Sequence, residues 1–107
     1  MISTHILDTT LGSPADGVPV DLKVKIGESW KTISESSTNN DGRIAFDCPF
    51  EEGVYQLHFK VEEYFSKINT SHFFENVQIT FNIQDTSRKY HVPILLNPYG
   101  YSTYRGS

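Results

Sequence analysis

The sequence lacks the features from which disulfides, membrane spans and nucleic-acid surfaces are built. Cys48 is the one cysteine among 107 residues, so no disulfide can form within the chain. No apolar run approaches the length of a membrane span. The longest basic run is the pair Arg88-Lys89 and the formal net charge is −4, so we expect neither nucleic acid nor a membrane as a partner.

The same absences bear on the compartment. A chain without a disulfide framework is typical of a reducing environment. The first residues, Met1 to His5, have neither the basic region nor the apolar region of a secretory signal. We therefore expect a cytoplasmic protein.

The chain does contain enough apolar residues for one folded domain. Hydrophobic residues make up 37% of the sequence and aromatic residues 13%, which separates it from disordered chains. A chain of 107 residues is shorter than the length at which cores divide. The sequence therefore predicts a single domain over residues 1–107.

Alternation of apolar and polar residues with a period of two dominates the chain, as is typical of strands with one buried face. The long alternating runs are Val18–Ile26, Val54–Val61, Val77–Ile83 and Tyr90–Leu96. Shorter strand candidates are Ile2–Leu7, Trp30–Ser34, Arg43–Phe46 and Ser102–Arg105. Turn residues separate these runs.

One segment, Glu62–Ile68, breaks the alternation. It begins with acidic residues, has Lys67 near its end and predicts a helix of about two turns. We expect an all-β protein, a two-sheet antiparallel sandwich with one short helix. Pro93 cannot donate to a strand ladder, so its strand should be at an edge or locally unpaired there.

His5 and His91 are the histidines that the folded chain could bring to a shared site. Alternation puts His5 on a polar strand face beside Ser3, and His91 opposite the apolar residues of its own strand. Two neighbouring imidazoles would disfavour each other's protonation and remain neutral near pH 7. A metal site is an alternative, although no third ligand has suitable spacing. Both could also be ordinary residues of a polar face.

Arg43 and Arg105 are the candidate anion-binding residues. Arg43 follows the turn Asn39-Asn40-Asp41-Gly42 and could present a rigid donor fork to a carbonyl-rich or anionic ligand. Arg105 belongs to the terminal tetrapeptide Tyr104-Arg105-Gly106-Ser107, which combines a phenol, a guanidinium, a hydroxyl and the α-carboxylate. Either arginine could instead be an exposed charge of little energetic consequence.

Three segments resemble the transthyretin-like family, in particular its 5-hydroxyisourate hydrolases. They are Ser3-Thr4-His5-Ile6-Leu7-Asp8 with Gly12-Ser13-Pro14-Ala15, then Thr38-Asn39-Asn40-Asp41-Gly42-Arg43, and finally the stretch from Tyr90 to Ser107. The resemblance runs the whole length and keeps the order of the elements. One departure is Glu75-Asn76 after Phe73-Phe74, where family members often carry proline.

The resemblance implies a prealbumin-type sandwich and a homotetramer with active sites in a channel between subunits. It also implies hydrolytic opening of the six-membered ring of 5-hydroxyisourate, in urate degradation, without a metal or organic cofactor. The family's site positions correspond to His5, Arg43, His91 and the terminal tetrapeptide Tyr104-Arg105-Gly106-Ser107. We expect the histidines to act as base and proton shuttle and Arg43 to orient and stabilise the substrate's oxygens. Tyr104 and Ser107 would add hydrogen bonds, and Arg105 would contact the substrate.

Two other functions fit the same architecture. Transthyretin shares the fold and carries hydrophobic hormones, so the fold alone does not decide between hydrolase and carrier. A carrier needs an inert, apolar channel, whereas the residues singled out here are polar and proton-active. A structural sandwich domain, in which His5 and His91 are incidental, is the third possibility.

Overall fold

The computed structural model describes residues 1–107 and contains nine strands and one helix. The strands are β1 (Ile2–Asp8), β2 (Ser13–Pro14), β3 (Pro19–Ile26), β4 (Ser29–Ser37), β5 (Arg43–Phe46), β6 (Gly53–Phe59), β7 (Val77–Ile83), β8 (Tyr90–Asn97) and β9 (Gly100–Thr103). The helix, α1 (Val61–Lys67), connects β6 to β7. The prediction of an all-β sandwich with one short helix is confirmed.

The strands form two sheets. Sheet I has the order β2-β1-β8-β9, with β5 also paired to β1, and sheet II has the order β4-β3-β6-β7. Every pairing is antiparallel except that of β1 with β8, which run parallel. This parallel pair joins the beginning of the chain to its last quarter, and it carries both histidines of interest.

The core lies between the two sheets. A single cluster of 20 buried apolar residues draws side chains from both sheets and from α1. In β1 the even-numbered residues from Ile2 to Asp8 are buried, and the odd-numbered residues are half-buried. Because successive side chains of a strand point to opposite faces, Ser3, His5 and Leu7 lie on the outer face of sheet I.

The Asp8 carboxylate is buried at the end of β1. Its Oδ1 accepts hydrogen bonds from the backbone N–H groups of Thr10 and Leu11, and its Oδ2 accepts one of 2.8 Å from the Tyr64 hydroxyl. Burial and the Asp8 carboxylate both raise the pKa of Tyr64. The helix is thereby fixed to the strand that carries His5.

Several predicted boundaries are wrong by a few residues. The last strand, predicted at Ser102–Arg105, is β9 at Gly100–Thr103, and β2 was not predicted because its two residues lie in a turn-rich segment. Pro93 lies in an interior strand. It has no β9 partner, because β9 ends with Thr103 opposite Ile94, so the locally unpaired alternative is the correct one.

Candidate active site

Strand β1 brings the two histidines and Arg43 onto one face of sheet I. His5 is opposite Arg43 in the antiparallel β1–β5 ladder. His91 is opposite Ser3 in the parallel β1–β8 ladder. Residues paired across a ladder point to the same side of a sheet. We call the surface formed by Ser3, His5, Arg43 and His91 the site face.

Arg43 is positioned by the turn before β5. The Asn39 side-chain oxygen accepts hydrogen bonds from the backbone N–H groups of Asp41 and Arg43, both at 3.0 Å. The Gly42 carbonyl accepts a bond of 2.8 Å from the Ile6 N–H, which anchors the turn to β1. Gly42 has a φ of +70°, and a Cβ there would lie 2.5 Å from the Ile6 carbonyl oxygen. Only glycine fits this close approach.

His91 is held on two sides. The Ser3 Oγ is 2.8 Å from the His91 Nδ1, and the Gly106 N–H donates to the His91 carbonyl at 2.8 Å. Burial lowers the pKa of His91, and the charges of Arg43 and His5 lower it further. The ring is therefore predominantly neutral at pH 7 and available as a proton acceptor.

A cavity of about 430 Å³ opens over part of the site face. Its lining includes Arg43 and His91, together with Ser107, Lys89 and Met1. The chain carries a net charge of −4, yet the lining of this cavity includes an arginine, a lysine and the imidazole of His91. An anionic or carbonyl-rich ligand would therefore meet local positive charge here.

The terminal tetrapeptide divides between two places. Ser107 lines the cavity over the site face, whereas Tyr104 and Arg105 line a second cavity of about 240 Å³. The Arg105 guanidinium carbon lies 4.8 Å above the centre of the Tyr90 ring. Tyr90 and His91 are consecutive in β8, so their side chains point to opposite faces. Within one chain the Arg105 guanidinium thus contacts Tyr90 on the inner side of sheet I, although His91 of the site face also lines this second cavity.

The second cavity lies at an open side of the sandwich. It is bounded by Ile79 and Phe81 of β7 in sheet II and by Tyr104 and Arg105, which follow β9 of sheet I. Both β7 and β9 are edge strands. Edge strands with unpaired backbone groups are common sites of pairing with another chain.

Two residues of the site were not assigned by sequence reasoning. Ser3 contacts His91 through its hydroxyl, and Lys89 lines the cavity. Gly106, which belongs to the predicted terminal tetrapeptide, packs against the His91 ring. Ser3 lies in the quoted motif Ser3-Thr4-His5, but its contact depends on the β1–β8 register. No local sequence pattern indicates which residues of β1 and β8 are paired.

The other two histidines lie away from the site face. The His58 Nδ1 is 2.9 Å from the Lys23 Nζ on sheet II, and the His72 ring stacks on Phe65 at 5.5 Å. Both side chains are half-buried. The structure contains no group of three or more His, Cys, Asp or Glu side chains arranged to hold a metal ion. It also has no helix of the length and hydropathy that crossing a membrane requires.

The topology and the polar site face together define the class of this protein, a transthyretin-type sandwich. Sea bream transthyretin in complex with thyroxine superposes with a TM-score of 0.92 at 26% identity, over 98% of this chain and 93% of that one. The 5-hydroxyisourate hydrolase of Klebsiella pneumoniae superposes with a TM-score of 0.86 at 40% identity, over 99% and 98% of the two chains.

Sequence comparison gives the family. The 5-hydroxyisourate hydrolase 2 of Rhizobium meliloti (strain 1021) is 44% identical over 116 residues, covering 99% of this chain and 95% of that protein. The profile of the HIUase/Transthyretin family matches residues 2–106. The chain belongs to the HIUase/Transthyretin family.

Proposed function

We propose that the chain is a 5-hydroxyisourate hydrolase and that residues 1–107 form its single hydrolase domain. The observation that carries the proposal is the placement of His5, Arg43 and His91 on one face of sheet I, with Ser107 beside them. The similarity to proteins that bear this name in Rhizobium meliloti and Klebsiella pneumoniae supports it.

The proposed reaction adds water across a carbon–nitrogen bond of the six-membered ring. Water attacks the carbonyl carbon while neutral His91 accepts one of its protons. The carbon–oxygen bond forms, the tetrahedral oxyanion collapses, and the carbon–nitrogen bond breaks as the leaving nitrogen takes a proton delivered through His5. The product, 2-oxo-4-hydroxy-4-carboxy-5-ureidoimidazoline, retains every atom of the water and needs no further reactant.

Arg43 and Ser107 have supporting roles in this proposal. The guanidinium of Arg43 orients the substrate oxygens and stabilises the charge that develops on the oxyanion. Ser107 orders the attacking water through its hydroxyl or its carboxylate. Tyr104 and Arg105 line the second cavity together with His91, and the Arg105 guanidinium lies over the Tyr90 ring. Both residues are proposed as substrate contacts beside His91.

The proposed assembly is a homotetramer. The exposed edges of β7 and β9 and the exposed aromatic side chains near them favour association with further copies. These side chains are Phe73, Tyr99, Tyr101 and Tyr104. Sedimentation equilibrium of the purified protein would test the stoichiometry, and a monomer at all concentrations would contradict it.

The proposal also includes a cytoplasmic location and a role in urate degradation, with the small-molecule substrate as partner and neither nucleic acid nor membrane involved.

The decisive experiment follows freshly generated 5-hydroxyisourate by ultraviolet absorbance with and without the protein. We expect decay well above the spontaneous rate for the wild type and loss of that acceleration in His5→Asn. The matched control is His72→Asn, because His72 is remote from the site face. Spontaneous decay in the presence of the folded wild type would contradict the proposal. That outcome would favour a ligand carrier, the function for which the similarity to a thyroxine-bound transthyretin argues.

A further inference from the structure

The side chain of Ser3 contacts His91 across the parallel β1–β8 ladder. The two residues are paired in register, and the Ser3 Oγ lies 2.8 Å from the His91 Nδ1. Both side chains are half-buried on the site face. The other ring nitrogen of His91, Nε2, has no hydrogen-bond partner within the chain, and His91 lines the cavity that Arg43 and Ser107 share. One nitrogen is therefore engaged by the protein and one is free.

We propose that Ser3 is a positioning residue of the hydrolytic site, whose hydroxyl holds the His91 ring so that Nε2 is the nitrogen presented to water and substrate. The proposal rests on the proposed hydrolase function. It assigns Ser3 no contact with the reacting atoms, since it acts through His91.

The hydroxyl selects one of two ring orientations. A half-turn of an imidazole about its Cβ–Cγ bond exchanges Nδ1 with Cδ2 and Nε2 with Cε1. In the alternative orientation of His91, Cδ2 would face the Ser3 hydroxyl and the hydrogen bond would be lost. A hydroxyl left without a partner in a half-buried position costs free energy, so the observed orientation is favoured.

Gly106 closes the opposite edge of the ring. A Cβ on Gly106 would lie 2.5 Å from the His91 Cδ2 and 3.2 Å from its Cγ, so the backbone of the tail packs directly on the imidazole. In the alternative orientation Nδ1 would face this backbone instead of a hydroxyl. Ser3 on one edge and Gly106 on the other thus leave the ring a single well-paired position.

The proposal also assigns the proton of the neutral His91 ring to Nδ1. A neutral imidazole has one N–H donor and one acceptor nitrogen, and a serine hydroxyl can pair with either. When the Nδ1–H donates to the Ser3 Oγ, the free lone pair is on Nε2, the nitrogen that must accept a proton from water. This assignment is relevant because burial, Arg43 and His5 lower the pKa of His91 and keep the ring neutral.

The test compares Ser3→Ala with Ser3→Thr, which restores the hydroxyl, and with Thr4→Val. Thr4 is the matched control, because its Oγ1 also joins β1 to β8, donating to the Val92 carbonyl at 2.7 Å, and its side chain is buried on the other face. We expect Ser3→Ala to lower kcat by about tenfold to a hundredfold with KM changed less than about twofold, since a mispositioned group slows the step it performs. Ser3→Thr should recover most of kcat, and Thr4→Val should keep kcat within about twofold.

A spectroscopic measurement separates positioning from stability. In protein labelled with ¹⁵N at histidine, the two ring nitrogens of neutral His91 report the tautomer, and assignment follows from the signals lost in His91→Asn. We expect a predominantly Nδ1-protonated ring in the wild type and a mixture of tautomers in Ser3→Ala. An unchanged tautomer with wild-type kcat in Ser3→Ala, or an equal loss of kcat in Thr4→Val, would overturn the proposal. A wild type that does not accelerate hydrolysis would instead overturn the proposed function, and the ¹⁵N spectra would still decide whether Ser3 orients the ring.

Discussion

His5 and Arg43 lie directly opposite each other across the β1–β5 ladder. Cβ atoms of directly paired residues are about 4.5–5.5 Å apart, so the backbone register alone places an imidazole next to a guanidinium. A site built on strands is more rigid than one built on long loops. The activity should therefore respond to small changes that disturb this register or the contacts at its ends.

Removing the charge of Arg43 should shift the acid limb of the pH–activity profile to higher pH. Arg43 disfavours the protonated form of His91, so its positive charge contributes to the lowered pKa of that ring. We expect Arg43→Gln to raise the pKa of His91, and the base form will then be lost at a higher pH than in the wild type.

This pKa can be measured directly by NMR titration of the His91 ring, without relying on residual activity. The charges of Arg43 and His5 act on His91, and Lys89, Arg105 and Ser107 line cavities that His91 also lines. Arg88→Gln is the control, because it changes the net charge equally at an exposed position outside the cavity. An unchanged or lower pKa in Arg43→Gln would refute the assigned electrostatic effect.

A methyl group on Gly106 should impair catalysis more than stability. The added Cβ would lie 2.5 Å from the His91 Cδ2, so the ring or the tail must move. We expect Gly106→Ala to reduce kcat by about tenfold or more, because the base is displaced from its working position. The thermal midpoint should change little, since the tail contributes little to the core. Gly100→Ala is the control, as its Cβ would meet only Asn97 at 3.8 Å. Equal kcat values for the two variants would contradict the prediction.

Gly42 should be intolerant of any side chain. Gly12 and Gly42 have nearly the same φ, +69° and +70°, but a Cβ on Gly12 would meet nothing within 4 Å. Gly12→Ala should therefore cost only the strain of a left-handed backbone, about 1–2 kcal/mol. Gly42→Ala should cost at least about 1 kcal/mol more, because its Cβ collides with the Ile6 carbonyl. Urea denaturation of both variants measures the difference in the free energy of unfolding. Equal losses in the two variants would show that the turn at Gly42 relaxes to accommodate the added Cβ.

The bond between Tyr64 and Asp8 should stabilise the fold without contributing to catalysis. Tyr64→Phe would remove the 2.8 Å bond to the Asp8 Oδ2 and leave a buried carboxylate oxygen without a partner. Bonds to charged groups contribute about 1.5–3 kcal/mol, and we expect a loss of that order in the free energy of unfolding. The control Tyr99→Phe removes an exposed hydroxyl. If Tyr64→Phe lowers the free energy of unfolding no more than Tyr99→Phe does, the Asp8 carboxylate has sufficient hydrogen bonds without Tyr64.

Much of sheet II could be predicted from sequence because alternation is a local property. Strand β7 has the predicted bounds, Val77–Ile83. Strand β3 begins one residue later than the predicted run Val18–Ile26 and ends at the same residue. Local propensity also predicted α1 within one residue at each end. The strand predicted to end at Val61 ends instead at Phe59. Val61 continues the alternation of β6, but it is the first residue of α1.

The contacts of the site could not be predicted in the same way. The parallel pairing of β1 with β8 joins residues 88 positions apart, and the Ser3–His91 contact follows only from it. The tail shows the same limit. The sequence predicted a strand through Arg105, whereas the chain leaves the ladder after Thr103 and returns at Gly106. That irregular segment is what directs Arg105 toward Tyr90 and Ser107 toward the site face.

The strand that carries His5 is bonded on both sides, whereas the backbone of the tail that brings Ser107 to it is paired only through the bridge between His91 and Gly106. Backbone amides of doubly paired strands exchange with solvent only on global opening, and singly held ends exchange by local fraying. A carboxypeptidase should therefore remove the last residues from the native protein while β1 remains protected. If Ser107 has the proposed role, we expect activity to be lost before any change in far-ultraviolet circular dichroism, and inactivation of this protein would then precede its unfolding.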